Sequence, residues 1–325
     1  MLQQSKPTSR QTEATMIIKL PLILFLASVT PISVSAAVLI ADETNLKSVF
    51  ANVRSGDTIQ VNGSFGPYWL QNRTFQPRVK LDATRAEFTD TLTIQNVIGL
   101  TVVGGKFGSK TMPMRSTRTV IISKSRNINF RDNTFFGNGL IAKGKASHGL
   151  IVRNSVDVQI SLGTFRNFHT GLLVLSSVNI KLDRNLFFAM TSDGIDIADS
   201  HFVTAIGNRC QDTIVSEGAH PDCIQLWSVL GQPVQSDVVL TGNTAIGNTQ
   251  GFTSFNAEDG GGLRISMLNN SVTTSYPQGI ACYNCVDSVI EYNSLATLPG
   301  SKYQTLMNII GGRNNIVKEN RIADK

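Results

Sequence analysis

The sequence predicts an all-β protein: a single-stranded right-handed parallel β-helix, closed at its start by a short capping helix. Three observations carry this. Apolar and polar residues alternate over short runs, which is the period of a strand. The runs recur, beginning at residues 91, 120, 149, 171, 194, 223, 251, 279 and 306, and repetition of one unit along the chain marks a solenoid. Charged residues make up 16% of the chain against 41% hydrophobic ones, over 325 residues. That is low for a helical repeat protein and ordinary for a sheet-rich one.

In chain order, the first feature is a leader. Met16 to Lys19 precedes an apolar run from Leu20 to Val29, then the small residues Val34-Ser35-Ala36-Ala37. A charged start, a short apolar core and small residues predict a signal peptide cut near Ala36 or Ala37. The run is too short to span a bilayer. Residues 1–37 are therefore assigned to the leader and 38–325 to the β-helix domain. The mature protein is expected to be secreted or periplasmic, and a monomer. After the leader, Thr44 or Asn45 caps a short helix whose apolar side is Leu46, Val49 and Phe50. Ser55 to Val61 then gives a turn and a strand.

From residue 91 each unit holds a β run, a polar turn, a second β run and an Asn-x-apolar step. Intervals between the starts at 149, 171, 194, 223, 251 and 279 are 22, 23, 29, 28 and 28 residues. A coil of about 22 residues with inserted loops fits these values. Phe107, Phe135, Phe165 and Phe187 form a column inside the coil, with Cys210 next. Asn133, Asn185, Asn208, Asn243, Asn270, Asn293 and Asn320 recur two residues ahead of that column. Asn tolerates positive φ at a tight turn, and stacked amides can hydrogen-bond from coil to coil. Loops expand at 107–119, 137–147, 211–220, after Trp227 and at 254–262. Insertions in a repeat array gather on one side and line binding sites. Four cysteines lie in the exported part. In an oxidising compartment, Cys210–Cys223 and Cys282–Cys285 are candidate local bridges, the alternative being buried thiols. The Cys282–Cys285 pair lacks a second CxxC, so a zinc site is weakly supported.

Laying successive units in register places Asp193 beside Asp222, Asp196 beside Gln225 and Ala198 beside Trp227. The three aspartates then share the exposed face, while Ile195, Ile197, Ile224 and Leu226 point inward. With strands about 4.8 Å apart, they fit within a patch of roughly 5–10 Å. Carboxylates this close raise each other's pKa, which is the signature of a working site. Asp193, Asp196, Asp222 and His220 are the candidate catalytic residues, expected to face water. Asp193, Asp196 and Asp222 are also candidate oxygen ligands for Ca2+. Gln225, Trp227, Phe255, Tyr283, Arg153 and His148 are candidate substrate-binding residues. Trp227, Phe255 and Tyr283 make a ladder of faces on which sugars can stack. Arg153 or Lys145 can hold a substrate carboxylate, and His148 sits at the rim. The net charge of +6 suits a polyanionic partner. Nucleic acid is excluded as that partner, for want of a dense basic run interleaved with aromatics.

The helix, the Gly56-Asp57-Thr58-Ile59 turn and the repeats resemble the pectin-lyase-like β-helix superfamily. Within it, Thr191-Ser192-Asp193-Gly194-Ile195-Asp196 resembles the Asn-Thr-Asp-Gly-Ile-Asp motif of polygalacturonases. Residues 220–224, His-Pro-Asp-Cys-Ile, are similar to their Asp-Asp-Cys-Ile motif one coil on, with Pro221 in place of the first Asp. The family's Gly-His-Gly falls near Gln250-Gly251-Phe252, without its His. The resemblance implies inverting hydrolysis of galacturonan with Asp193 and Asp222 at the matching positions. His220-Pro221-Asp222 also resembles the Asp-Pro-His-Asp motif of alginate epimerases. That implies a His220 base and a cation or protonated acid to neutralise a uronate carboxylate. Three function classes follow: a polysaccharide lyase or epimerase, the foremost; an inverting glycoside hydrolase, with carboxyls about 6.5–9.5 Å apart; and a non-catalytic polysaccharide-binding surface protein.

Overall fold

Three short strands and three turns make each coil, stacked so that every strand pairs in parallel with its counterpart one coil on. The computed structural model describes residues 35–109, 118–139, 147–228, 230–231, 234–257 and 261–323. Residues 36–325 form one compact unit. Most of the leader, Lys145 and part of four loops lie outside the described residues. Among those described, no helix is long and apolar enough to cross a membrane.

The first face of the solenoid carries Arg118–Ser123, His148–Arg153, Thr170–Leu175, Ile195–Ala198, Asp222–Trp227, Gln250–Phe255, Gln278–Tyr283 and Leu306–Ile310. Its register is the one the alternation predicts: Ile151, Leu173, Asp196, Gln225, Thr253, Ala281 and Asn308 pair in sequence. Arg153, Leu175, Ala198, Trp227, Phe255 and Tyr283 do the same. A one-residue slip would turn the inward Ile195, Ile197, Ile224 and Leu226, all fully buried, to the outside, so burial fixes the register.

Inside, the phenylalanine column is longer than the sequence reading placed it. Phe65 and Phe88 precede Phe107, and the rings from Phe65 to Phe187 stack with centroids 4.3–5.2 Å apart. Each aromatic pair adds about 1 kcal/mol beyond burial. Cys210 takes the next place and is bonded to Cys223; Cys282 is bonded to Cys285. Gly194 stands at the corner where this column meets the first face. A Cβ there would lie 2.6 Å from the Cys223 carbonyl oxygen and 2.7 Å from Cys210 Sγ, so only glycine fits.

The asparagine column forms the expected ladder. The Nδ2 of Asn185, Asn208, Asn243, Asn270 and Asn293 each donates to the Oδ1 of the next, at 2.9–3.1 Å. Its backbone conformation corrects the sequence reading. The positive φ falls one residue earlier, on Asp132, Arg184, Gly207, Gly242, Asn269, Tyr292 and Glu319. The asparagines are held for their amides, and the preceding residue bends the chain. Serines form a parallel ladder at the first turn, where the Oγ of Ser155, Ser177 and Ser200 accepts from the N–H of Ser125, Ser155 and Ser177, each at 3.2 Å.

At the start, the helix Leu46–Asn52 buries Leu46 and Phe50. Asn45 is its N-cap residue without capping it through its side chain; the Asn45 Oδ1 instead accepts from the Asp42 N–H at 2.9 Å. The long turns predicted from sequence precede or follow first-face strands, so they flank that face on both edges.

Candidate active site

Two local features bring the acidic residues together. Gly194 faces the core, so the chain turns a corner there and presents Asp193 outward before Ile195 and Ile197 point in. One coil on, Pro221 biases His220 toward an extended conformation. Residues two apart on an extended chain share a side, so His220 and Asp222 point the same way. The Gly194 N–H donates to the Asp222 carbonyl at 2.9 Å, which fixes the two corners side by side.

The hydrogen bonds run through all three acids. The Asp222 N–H donates to Asp193 Oδ1 at 2.8 Å, and the Ser192 hydroxyl to Asp193 Oδ2 at 2.9 Å. Thr253 Oγ1 donates to Asp222 Oδ1 at 2.8 Å, and His220 Nδ1 lies 3.2 Å from Asp222 Oδ2. The Gln250 amide nitrogen is 3.4 Å from that same Nδ1. Thr170 hydrogen-bonds the Asp196 carboxyl, whose Oδ1 is sealed from solvent without a partner.

Exposure corrects one expectation. The acids occupy the outward face, but they do not face water. Asp222 is 0% and Asp193 8% exposed, and Asp196 is half-buried. The reason is coverage: hydroxyls, backbone and His220 close over the carboxyls from the adjoining coils. Burial pushes Asp193 up to about 7, with the Asp222 charge adding to it. Burial, and then the charges of Asp193 and Asp222, hold Asp196 well above the carboxylate range. Burial also raises Asp222. The cluster therefore retains protons at neutral pH. His220 is pushed up by its hydrogen bond to Asp222. Its side chain is 66% exposed over the fully buried Asp222, so the imidazole is where the buried acids meet solvent.

Beside it opens a pocket of about 720 Å³ lined by His220, Gln225, Gln250, Phe255, Tyr276, Pro277, Gln278 and Tyr303. Of the candidate substrate-binding residues, Gln225 and Phe255 line this pocket. Tyr276, Gln278 and Tyr303 carried no role in the sequence reading. Tyr276 and Pro277 lie in the turn before a first-face strand, and the stretch 298–305 is an insertion the repeat count passed over. The aromatic column is in register, but its rings do not form a ladder of parallel faces. Phe255 and Tyr283 meet edge to face at 5.2 Å and 71°, and Phe255 meets His220 at 6.4 Å and 86°. The Tyr283 hydroxyl accepts from Gln278. Trp227 is half-buried in register with Phe255. Arg153 is exposed, two coils before the Trp227-bearing strand's neighbour Ala198.

His148, expected at the rim, is half-buried. Its Nδ1 is sealed without a partner, and its pKa falls to about 4, from burial first and then from His169 and Arg118. It stays neutral across the physiological range. Arg118, directly in register with His148, was missed because the column was traced only from His148 onward. For calcium, the oxygens of Asp193 and Asp222 are directed at protein donors, and among the described residues no group of three acidic, His or Cys side chains is arranged to hold a metal ion. This arrangement does not fit a bound cation.

A family model described as a right-handed beta helix region matches residues 118–295. No curated protein matches the chain by sequence. Among solved structures, an alginate lyase from Paenibacillus sp. str. FPU-7 superposes with a TM-score of 0.59 at 12% identity, covering 86% of this chain and 99% of its own. PfbA, a surface adhesin of Streptococcus pneumoniae, gives 0.56 at 11%, covering 85% and 80%. The pectate lyase Pel9A gives 0.54 at 12%, covering 89% and 80%. At these identities the likeness is one of fold.

Proposed function

From the premise that this chain belongs to the right-handed β-helix family, we propose that it acts outside the cytoplasm on an acidic, uronate-containing polysaccharide, by lyase or epimerase chemistry at His220. The observation that carries this is the His220–Asp222 pair: a buried carboxyl on Nδ1, with the rest of the imidazole facing a pocket on the outward sheet. Two of the fold neighbours are named as an alginate lyase and a pectate lyase, and alginate and pectate are uronate polymers, which favours the class without fixing the polymer.

In this reading Asp222 is a positioning residue. It holds the proton on Nδ1 and stabilises the imidazolium, leaving Nε2 as the base. Nε2 takes the proton on the carbon beside the uronate carboxylate. Gln225, which lines the pocket in register with Asp196, donates its amide N–H to that carboxylate and stabilises the charge that develops on it, while Asp196, kept protonated by burial, adds no repelling charge. In a lyase step the electron pair left on carbon forms the double bond, and the glycosidic C–O bond breaks. The leaving oxygen takes a proton from the imidazolium. In an epimerase step the glycosidic C–O bond stays intact, water in the pocket gives a proton to the opposite side of the carbon, and the imidazolium releases to solvent the proton it took. Gln225, Gln278 and the aromatic edges of Phe255 and Tyr303 line the sugar's path.

The hydrolase reading is favoured by one feature, the carboxyl of Asp193 held up to about 7 beside Asp222. It is weaker because Asp222 has no exposed surface with which to meet water or sugar. The test is product analysis on polygalacturonate and alginate, with and without chelator. Ultraviolet absorbance from unsaturated uronate ends is expected. New reducing ends without that absorbance would transfer the site to the hydrolase class. Polymer retention without either product, and without epimerisation by NMR, would leave only the binding protein.

A further inference from the structure

A second pocket lies far from the acids, at the start of the solenoid. It has a volume of about 640 Å³ and is lined by Lys47, Phe50 and Ala51 of the helix and by Pro67, Tyr68, Trp69, Gln71 and Arg73. Arg73 is committed to structure: its guanidinium donates to the carbonyls of Ala51 and Val53 at the helix end. The groups left for a ligand are the indole of Trp69, 57% exposed, the Tyr68 ring, the Gln71 amide and the exposed Lys47 ammonium.

The position of Trp69 gives this pocket its meaning. Trp69 pairs with Thr93, Thr93 with Ile121, Ile121 with Ile151, Ile151 with Leu173, and Leu173 with Asp196. The exposed indole and Asp196 thus belong to one outward column of one sheet, five coils apart. Gln71 likewise begins the column that continues through Gln95, Ser123 and Arg153 to Trp227. At about 4.8 Å per coil the separation is about 24 Å. A pyranose advances a glycan by about one coil spacing, so roughly five sugar units span it.

We propose that Trp69, Tyr68, Gln71 and Lys47 form a remote glycan subsite that holds a uronate unit of the same polysaccharide chain whose other units occupy the acid site. The exposed face of the Trp69 indole takes the apolar side of a pyranose, and the Tyr68 ring, set edge to face on Phe65, lines the pocket beside it. Lys47 faces the carboxylate as a hydrated point charge, and the Gln71 amide serves a hydroxyl. The choice of uronate over neutral sugar rests on the function proposed above; the existence of the subsite does not. Two linked contacts on one chain raise the affinity for long glycans with no effect on short ones.

The experiment compares the full chain with Trp69→Ala and Lys47→Gln, using size-fractionated oligogalacturonates and oligoalginates from trimer to decamer. Binding is read by calorimetry, and folding by thermal melts. Trp69→Ala should weaken decamers about tenfold and leave trimers unchanged, with an unaltered melt. Lys47→Gln should weaken decamers by a smaller factor that vanishes at high salt. As a second measurement, Trp69 and Trp227 are the two tryptophans of the chain. In a Trp227→Phe background the emission reports Trp69 alone, and it should shift with decamer and not with trimer. Equal losses for trimer and decamer, or decamer binding that ignores Trp69→Ala, would overturn the subsite. Length-dependent binding without any turnover would sink the lyase reading and keep the subsite. Turnover indifferent to Trp69 at every length would do the reverse.

Discussion

Replacing Asp193 by Asn should make the protein more stable in alkaline solution and no more stable in acid. The substitution keeps the shape and the acceptor for the Asp222 N–H, and it removes a charge from a carboxyl that is 8% exposed. Asp193 titrates at about 7 in the fold against 3.8 for the ordinary group. A raised carboxyl pKa means the folded state holds the proton more tightly than the unfolded chain. Stability from this group is therefore full below about pH 4 and is lost as pH rises to about 7. That interval spans roughly three pH units at about 1.4 kcal/mol each, so the loss approaches 4 kcal/mol. This is a ceiling, because Asp193, Asp196 and Asp222 share their protons. Urea unfolding at about pH 4.5, near the start of that loss, and at about pH 8, beyond its end, would read it as a change in midpoint at constant slope. Wild type should weaken across that range by about 2–4 kcal/mol more than Asp193→Asn. Parallel pH profiles for the two proteins would refute the claim that this carboxyl is buried beside a second one.

Other outcomes follow from the same geometry. Asp222→Asn should lower kcat by about 10³-fold or more with a native melt, because an amide on Nδ1 favours the wrong tautomer of His220; retained kcat would remove Asp222 from the site. The kcat/KM profile should rise through a pKa above 6.5, the His220 base deprotonating against its Asp222 partner, and His220→Gln should abolish that limb. Asn243→Ala leaves the N–H and Nδ2 of Asn208 without the Oδ1 they share, so unfolding should become about 2–4 kcal/mol easier. Asn320→Ala, at the less buried end of the ladder, should cost markedly less, and equal losses would show that the ladder is not a buried network. Trp227→Ala should weaken polymer retention on an affinity gel while leaving the melt within about 1 kcal/mol of wild type; unchanged retention would make Trp227 a packing residue.

The sequence by itself determined the solenoid and its register, and it offered both bridges as one of two readings that the structure then decided. Alternation of apolar residues has period two, and inward Ile195, Ile197, Ile224 and Leu226 tolerate no slip, so each residue's neighbours one coil away were legible without coordinates. The same reasoning placed Asp193 beside Asp222 and aligned the phenylalanine and asparagine columns. What the tertiary structure alone decided was depth and orientation. Whether Asp222 meets water depends on Thr253, from the next coil, and on His220, from the turn just ahead of it, closing over it. Whether Phe255 and Tyr283 offer faces or edges depends on side-chain torsions that register leaves free. The Tyr276–Tyr303 wall of the pocket arises where turns of different coils converge, and Trp69 joins the column of Asp196 from a strand that lies ahead of the first repeat legible in the sequence. Strand pairing is a repeating rule that a sequence can state, whereas coverage is a sum over neighbours distant in the chain, and only the folded molecule performs it.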